Sequence, residues 1–211
     1  MKTKETIRVT GAVCVTDRVI DMIIYKLAHD AENYRWLECT NGAYTSYFHG
    51  MRGKSLMPYE EEIEFRKIRD KAERNIGDFP VAPCEIVSER FKKVIEDYVN
   101  DLVEFFPIKI KTREEQTYYI MNVVNICDCL DKEKSEIKYF SDNSGIMNVI
   151  EYSFKPMEEK KSFIFRLQGY EKNIYINERI KEVLENAGMR GVKFEDTRER
   201  CENPFFEIFK R

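Results

Sequence analysis

The feature that most constrains this fold is a recurrence: residues 86–99 and residues 175–188 follow the same plan. In each, an apolar pair (Ile86 and Val87, Tyr175 and Ile176) precedes a short polar residue, Ser88 or Asn177. Such side chains accept hydrogen bonds from the open amides of a starting helix. A glutamate follows, Glu89 or Glu178, where the helix dipole favours negative charge. Apolar residues then fall at 91, 94, 95, 98 and 102, and at 180, 183, 184 and 187, the spacing of one buried stripe. Gly188 supplies a C-terminal stop for the second helix. Two helices of one design predict two similar docking positions on one sheet.

Strand-forming sequence surrounds them. A strand candidate follows each helix, at 105–111 and 192–194. Residues 118–126 mix β-branched and aromatic side chains and are expected to pair with 105–111 across a polar turn at 112–116. Residues 146–154 and 162–167 are expected to pair around a loop at 155–161, and 205–209 reads as a final short strand. Another strand starts at Met22, and residues 28–58, rich in Tyr, Asn, Gly and Ser, read as short strands and loops. Residues 59–75 are charged and free of Gly and Pro, and Ile63, Ile68 and Ala72 make a thin stripe, which predicts a mostly solvated helix. Helices interspersed with antiparallel hairpins, without regular βαβ alternation, give an α+β class: antiparallel sheet hairpins with two or three packed helices. Residues 22–211 read as one such domain. Residues 1–21, where Ile7, Val9, Val13 and Val15 alternate around Gly11, read as an edge hairpin or as a leader without fixed order. The leader is favoured, because termini are where disorder concentrates.

Composition narrows the function. Thirty-five Lys and Arg against 38 Asp and Glu leave a net charge of −3, so no global basic field attracts nucleic acid. Charge-free stretches such as residues 117–127 are too short to cross a bilayer. Residues 9–16 are apolar but short and bracketed by Arg8 and Asp17, unlike a secretory signal. A cytoplasmic location and reduced thiols at all six cysteines are therefore expected.

Chemistry-bearing motifs are sparse. Only His29 and His49 are available as bases, and both read as surface or hydrogen-bonded core residues. Nucleophile elbow, P-loop and dinucleotide fingerprints are absent. Cys127 and Cys129 fall short of the four ligands of a structural zinc site, so no metal or cofactor is expected. Ser135 with Lys138, followed by Ser141, Asp142 and Asn143, echoes penicillin-recognising enzymes, but these segments lie too close together and the third element is missing. Asp128, Asp131 and Glu133 would be the carboxylates of an enzyme, were this chain one. The run Glu60, Glu61, Glu62 and Glu64 reads as a solvated face, or as a surface for a basic partner.

An ordered set of short segments adds to this. Ile76, Gly77, Asp78 and Phe79; Ser88, Glu89 and Arg90 opening a helix; Pro107 after two phenylalanines; Tyr118 and Tyr119 form its first part. Leu130 and Asp131 with Lys134 and Ser135, then Phe165, Arg166 and Leu167, and Gly191 with Phe194 complete it. The pattern resembles the immunity proteins of bacterial polymorphic toxin systems, specifically their eleventh family. Tyr25, Lys26, Leu27 and Tyr34 also suit the family's opening, so the resemblance spans residues 22–194 and leaves 1–21 outside. It implies a bacterial protein that binds and neutralises a cognate toxin in the producing cell, without catalysis. Family members have no assigned catalytic residues, so none is carried over. Glu60, Glu61, Glu62 and Glu64 are the expected contact for a basic toxin. The alternatives are an enzyme working through Asp128, Asp131 and Glu133, or an interaction domain with no toxin partner.

Overall fold

A computed structural model describes residues 22–34, 36–40, 52–56, 63–68, 75–111 and 117–201. Along the chain come β1 (Ile24–His29), β2 (Leu37–Cys39), β3 (Glu64–Lys67), β4 (Ile86–Ser88), α1 (Glu89–Val99), β5 (Val103–Lys111), β6 (Tyr118–Val123) and β7 (Ile126–Cys127). There follow β8 (Glu136–Tyr139), β9 (Ile146–Glu151), the single helical turn α2 (Glu159–Ser162), β10 (Ile164–Leu167), β11 (Tyr170–Asn177), α3 (Glu178–Asn186) and β12 (Val192–Asp196).

The two matched helices form as their sequences predict. Ser88 Oγ accepts from the Phe91 amide and Asn177 Oδ1 from the Ile180 amide, each at 3.1 Å. These bonds satisfy amides that an open helix start leaves unpaired. The stripes bury Phe91, Ile95 and Val99 on α1, and Ile180 and Leu184 on α3. α3 stops at Gly188, whose φ of 61° lets its amide donate to Glu185 O at 2.8 Å while Met189 N donates to Leu184 O at 3.1 Å.

Two five-stranded sheets, ordered β12-β1-β11-β10-β7 and β2-β3-β5-β6-β4, carry these helices. Each contains one parallel pair, β10 with β7 and β3 with β5, so the α+β class holds but the sheets are mixed rather than purely antiparallel. The expectation of two docking positions on one sheet is corrected. α1 leaves β4 on the second sheet, α3 leaves β11 on the first, and the helices pack against each other. One central core results, in which Val87, Met121 and Val123 of one sheet meet Leu27, Ile174 and Ile176 of the other around both helical stripes.

Side-chain alternation sends the neighbouring positions outward. Ile86, Phe106, Ile108 and Ile120 join Phe65 in a second core behind the second sheet. Ile24, Phe165 and Tyr175 join Val149 in a third core behind the first. Sheets buried on both faces need nearly continuous apolar strands, which is why all four residues of β10 are buried.

The expected hairpin of β5 and β6 forms, with a register that runs from Val103 opposite Val123 to Ile108 opposite Tyr118. Two other expectations fail. Residues 146–154 and 162–167 do not pair: β9 pairs with β8, and β10 lies between β11 and β7. The short turn at 140–145 closes β8 on β9 locally, with Phe140 N donating to Gly145 O at 3.1 Å, whereas α2 redirects the chain between β9 and β10. The helix expected over 59–75 is replaced, where the range is described, by β3. There Ile63 and Phe65 are fully buried at a spacing of two, and Phe65 aligns with Ile110 of β5. Residues 1–21, 112–116 and 205–209 lie outside the described residues.

Both helix caps also tie distant segments together. Ser88 Oγ donates to Asp78 Oδ1 at 2.8 Å, and Asn177 Nδ2 donates to Ser162 Oγ at 2.9 Å. Ser88→Ala and Asn177→Ala should therefore each lower stability by about 1–2 kcal/mol, read as a shift in the urea midpoint. An unchanged midpoint would remove that cap from the supports of the fold.

Candidate functional site

The segment from Ile76 to Phe79 is where the two strand–helix units meet. Asp78 is buried, and its carboxylate accepts from Ser88 Oγ and, at 2.9 Å, from the Arg190 amide. Arg90 and Arg190 bring guanidinium nitrogens to 3.4 Å and 3.6 Å from the same carboxylate. Arg90 also donates to Ala187 O at the end of α3. The chain passes here at close quarters: Gly77 has φ 78°, and a Cβ on it would lie 2.8 Å from Tyr34 Cδ1. Tyr118 OH donates to Gly77 O at 3.0 Å.

A second polar cluster lies at the edge of the central core. Arg166 is 1% exposed, and its guanidinium reaches Glu85 at 3.2 Å and donates to Glu171 O at 2.7 Å, while Nε has no partner among the described residues. Burial holds its pKa below the ordinary guanidinium value, and Glu85 counteracts this. Glu85 forms part of a cavity of about 220 Å³ between β1, β11, β12 and residues 79–85. His29, the last residue of β1, stacks on Phe79 with ring centroids 4.2 Å apart. Its Nδ1 is buried without a hydrogen-bond partner among the described residues, and desolvation lowers its pKa from 6.5 against the opposing pull of the Phe79 backbone and Glu85.

The residues singled out in the sequence do not gather here. Glu60, Glu61, Glu62 and His49 lie outside the described residues, and Glu64 sits on β3, where its carbonyl accepts from Thr40. Asp128 is exposed and pairs with Lys155 at 3.5 Å. Asp131 accepts from the amides of Glu133 and Lys134 and pairs with Lys134, which holds its carboxyl below the usual range. These are the bonds of a surface turn, and Glu133 points to solvent. Cys127 and Cys129 are buried together; a hydrogen bond from Cys129 lowers the Cys127 thiol, and the same bond raises Cys129. Ser135 exchanges hydrogen bonds with the Ser153 backbone. Among the described residues, no three His, Cys, Asp or Glu side chains are placed to hold a metal ion together.

Sequence reasoning missed Glu85, Lys172 and Asn173 of the cavity and the aromatic pair Tyr139 and Phe140, each about half exposed at the tip of the β8–β9 hairpin. One usable signal existed for this region: Arg166 is a lone charge inside an apolar strand. No helix among the described residues is long and apolar enough to cross a membrane.

A family model described as the immunity protein family (Imm11) matches residues 5–199. The chain belongs to this immunity protein family. The match opens at residue 5, ahead of Met22, and so takes in most of the segment that the resemblance had left outside. No curated protein matches the chain. Of the residues that carried the resemblance to immunity proteins, Asp78, Ser88 and Arg90 form the junction, and Arg166 forms the buried pair with Glu85.

Two predictions follow from the buried charges. Glu85→Ala leaves Arg166 without its carboxylate and should destabilise the protein by about 3 kcal/mol in denaturant unfolding, whereas Glu85→Leu combined with Arg166→Met should recover much of that loss. Desolvation holds the folded His29 below the value of 6.5 that it takes when unfolded, so just below pH 6.5 the unfolded chain binds more protons than the folded one. Stability should therefore fall as pH drops below 6.5. His29→Phe, which keeps the stack on Phe79, should flatten this part of the profile measured by thermal unfolding.

Proposed function

We propose that this protein neutralises a cognate polymorphic toxin by binding it, in the cytoplasm of the bacterial cell that makes both, and performs no catalysis of its own. The observation that carries the reading is the match to the immunity protein family over residues 5–199. The use of polar groups is consistent with it. The carboxylates of Asp78 and Glu85 are engaged by arginines inside the chain, and those of Asp128 and Asp131 by lysines at the surface.

Neutralisation needs a stable scaffold and a complementary surface. Glu60, Glu61, Glu62 and Glu64 are proposed as an acidic contribution to that surface, which would steer a basic toxin at low salt. Tyr139 and Phe140 are proposed as anchors, since exposed aromatics on a rigid turn lose little entropy on contact and dominate binding energy when they enter a partner's pocket. That turn is held by Asn143 N donating to Phe140 O and by Asp142 accepting from Ser144 N.

Co-expression with a toxin encoded beside this chain should yield a complex that survives purification and protects the cell. Replacing the four glutamates by Gln should slow association and reduce its salt dependence. Tyr139→Ser with Phe140→Ser should weaken binding by about tenfold or more without moving the unfolding midpoint. Absence of both complex and protection would overturn the reading; normal binding by a variant would discard only its patch.

A further inference from the structure

Of the six cysteines, Cys127 and Cys129 are separated by a single residue, and no other two lie within twenty positions of each other. Burial alternates here as an extended chain requires: Asp128 is exposed, whereas Cys127 and Cys129 turn into the third core, both as free thiols. The backbone is held on both sides of Asp128. Gln168 N donates to Cys127 O at 3.0 Å, and Lys155 N donates to Cys129 O at 2.7 Å. Two extended residues span about 6.6–6.8 Å, at the upper end of the ~4.4–6.8 Å between Cα atoms that a disulfide accepts. Side chains on one face at that separation can be joined with little backbone movement. The pair also stands at the root of the β8–β9 hairpin, because Leu130 bridges to Phe154 and Asp131 N donates to Ser153 O at 2.8 Å.

The two thiols are not equivalent. Cys127 Sγ lies 3.8 Å from both Asn125 Oδ1 and Lys161 O, and it accepts a hydrogen bond from Cys129. That bond, helped by the Lys161 ammonium, holds the Cys127 thiol below its ordinary pKa against burial. The same bond, and then burial, push Cys129 up. The thiolate is the reactive form, so Cys127 is the nucleophile and Cys129 the protonated neighbour that resolves it. Fully enclosed thiols are inert for want of access. Cys127 keeps 8% of its surface exposed against 4% for Cys129, which admits an oxidant near the size of water before a bulky one.

We propose that Cys127 and Cys129 form a peroxide-sensitive dithiol that closes reversibly to a disulfide at the root of the β8–β9 hairpin. The Cys127 thiolate attacks one oxygen of hydrogen peroxide, the O–O bond breaks, and Cys127 becomes a sulfenic acid. The hydroxide that leaves is neutralised by the proton that Cys127 gave up. The Cys129 sulfur then displaces the sulfenic hydroxyl, the S–S bond forms, and the departing oxygen takes the Cys129 proton as water. Two thiols are oxidised and one peroxide is reduced to two waters. The inference rests on the chain's own thiols and is independent of toxin binding.

Treating the reduced full chain with millimolar hydrogen peroxide, then alkylating it in denaturant and mapping its peptides by mass spectrometry, tests this. A peptide carrying the Cys127–Cys129 disulfide is expected, with both thiols recovered by dithiothreitol. Cys127 should lose its thiol about tenfold or more faster than Cys84, which is buried and has no cysteine beside it in the sequence. In Cys129→Ser, oxidation should stop at the sulfenic acid on Cys127, captured as its dimedone adduct. The parent chain alone decides the matter if that variant does not fold by circular dichroism. The proposal is overturned if the parent's Cys127 reacts no faster than Cys84, if it passes to sulfinic acid with Cys129 untouched, or if a folded Cys129→Ser yields no adduct.

Discussion

The Asp78 carboxylate joins the two strand–helix units into one body. It receives the hydroxyl that caps α1 and the Arg190 amide that follows α3, and the backbone repeats the tie, with Asp78 N donating to Arg190 O at 2.7 Å and Ser88 N to Asp78 O at 2.9 Å. The electrostatics favour this placement at both ends. A negative charge sits beside the start of α1, and Arg90, paired with that charge, reaches carbonyls at the end of α3. A buried carboxylate is costly unless its oxygens are fully engaged. Here every partner comes from one of the two units, so the junction forms only when both are in place.

That junction governs the sheets. Because α1 and α3 are fixed to each other, β4 and β11 are held apart in separate sheets, and the space between becomes the central core. The outer faces then need covering. The β8–β9 hairpin closes over the first sheet, where Tyr152 OH and Tyr175 OH lie 3.1 Å apart and Phe154 meets Phe165 edge-on. Arg200 bridges Glu136 and Glu151 across that hairpin and so connects it to the chain leaving β12.

What was legible in the sequence follows the range of the forces involved. The helices, their caps and the Gly188 stop depend on residues within one turn, and the β5–β6 pair on a short connection; all were readable. β3 was not, because Glu64 and Arg66 flank Phe65 and make a period of two look like a charged helical face. β8 was hidden similarly, since only Ile137 and Tyr139 interrupt its charges. The distribution of the helices over two sheets depends on contacts such as Asp78 with Arg190, which no local pattern encodes. The cavity was invisible for the same reason: Glu85 and Lys172 are ordinary charges in a chain that is 35% charged, and only the fold sets them in one wall.

The residues that made the family recognisable are mostly interior. Ile76, Asp78, Phe79, Ser88, Tyr118, Leu130, Phe165, Arg166 and Leu167 are all buried. A pattern written in the interior reports how a chain folds, because core volume and buried pairs tolerate little change. It carries no information about which surface meets a partner. Exposed positions such as Tyr139, Phe140 and Trp36 stand outside the pattern and can be exchanged at small cost to stability.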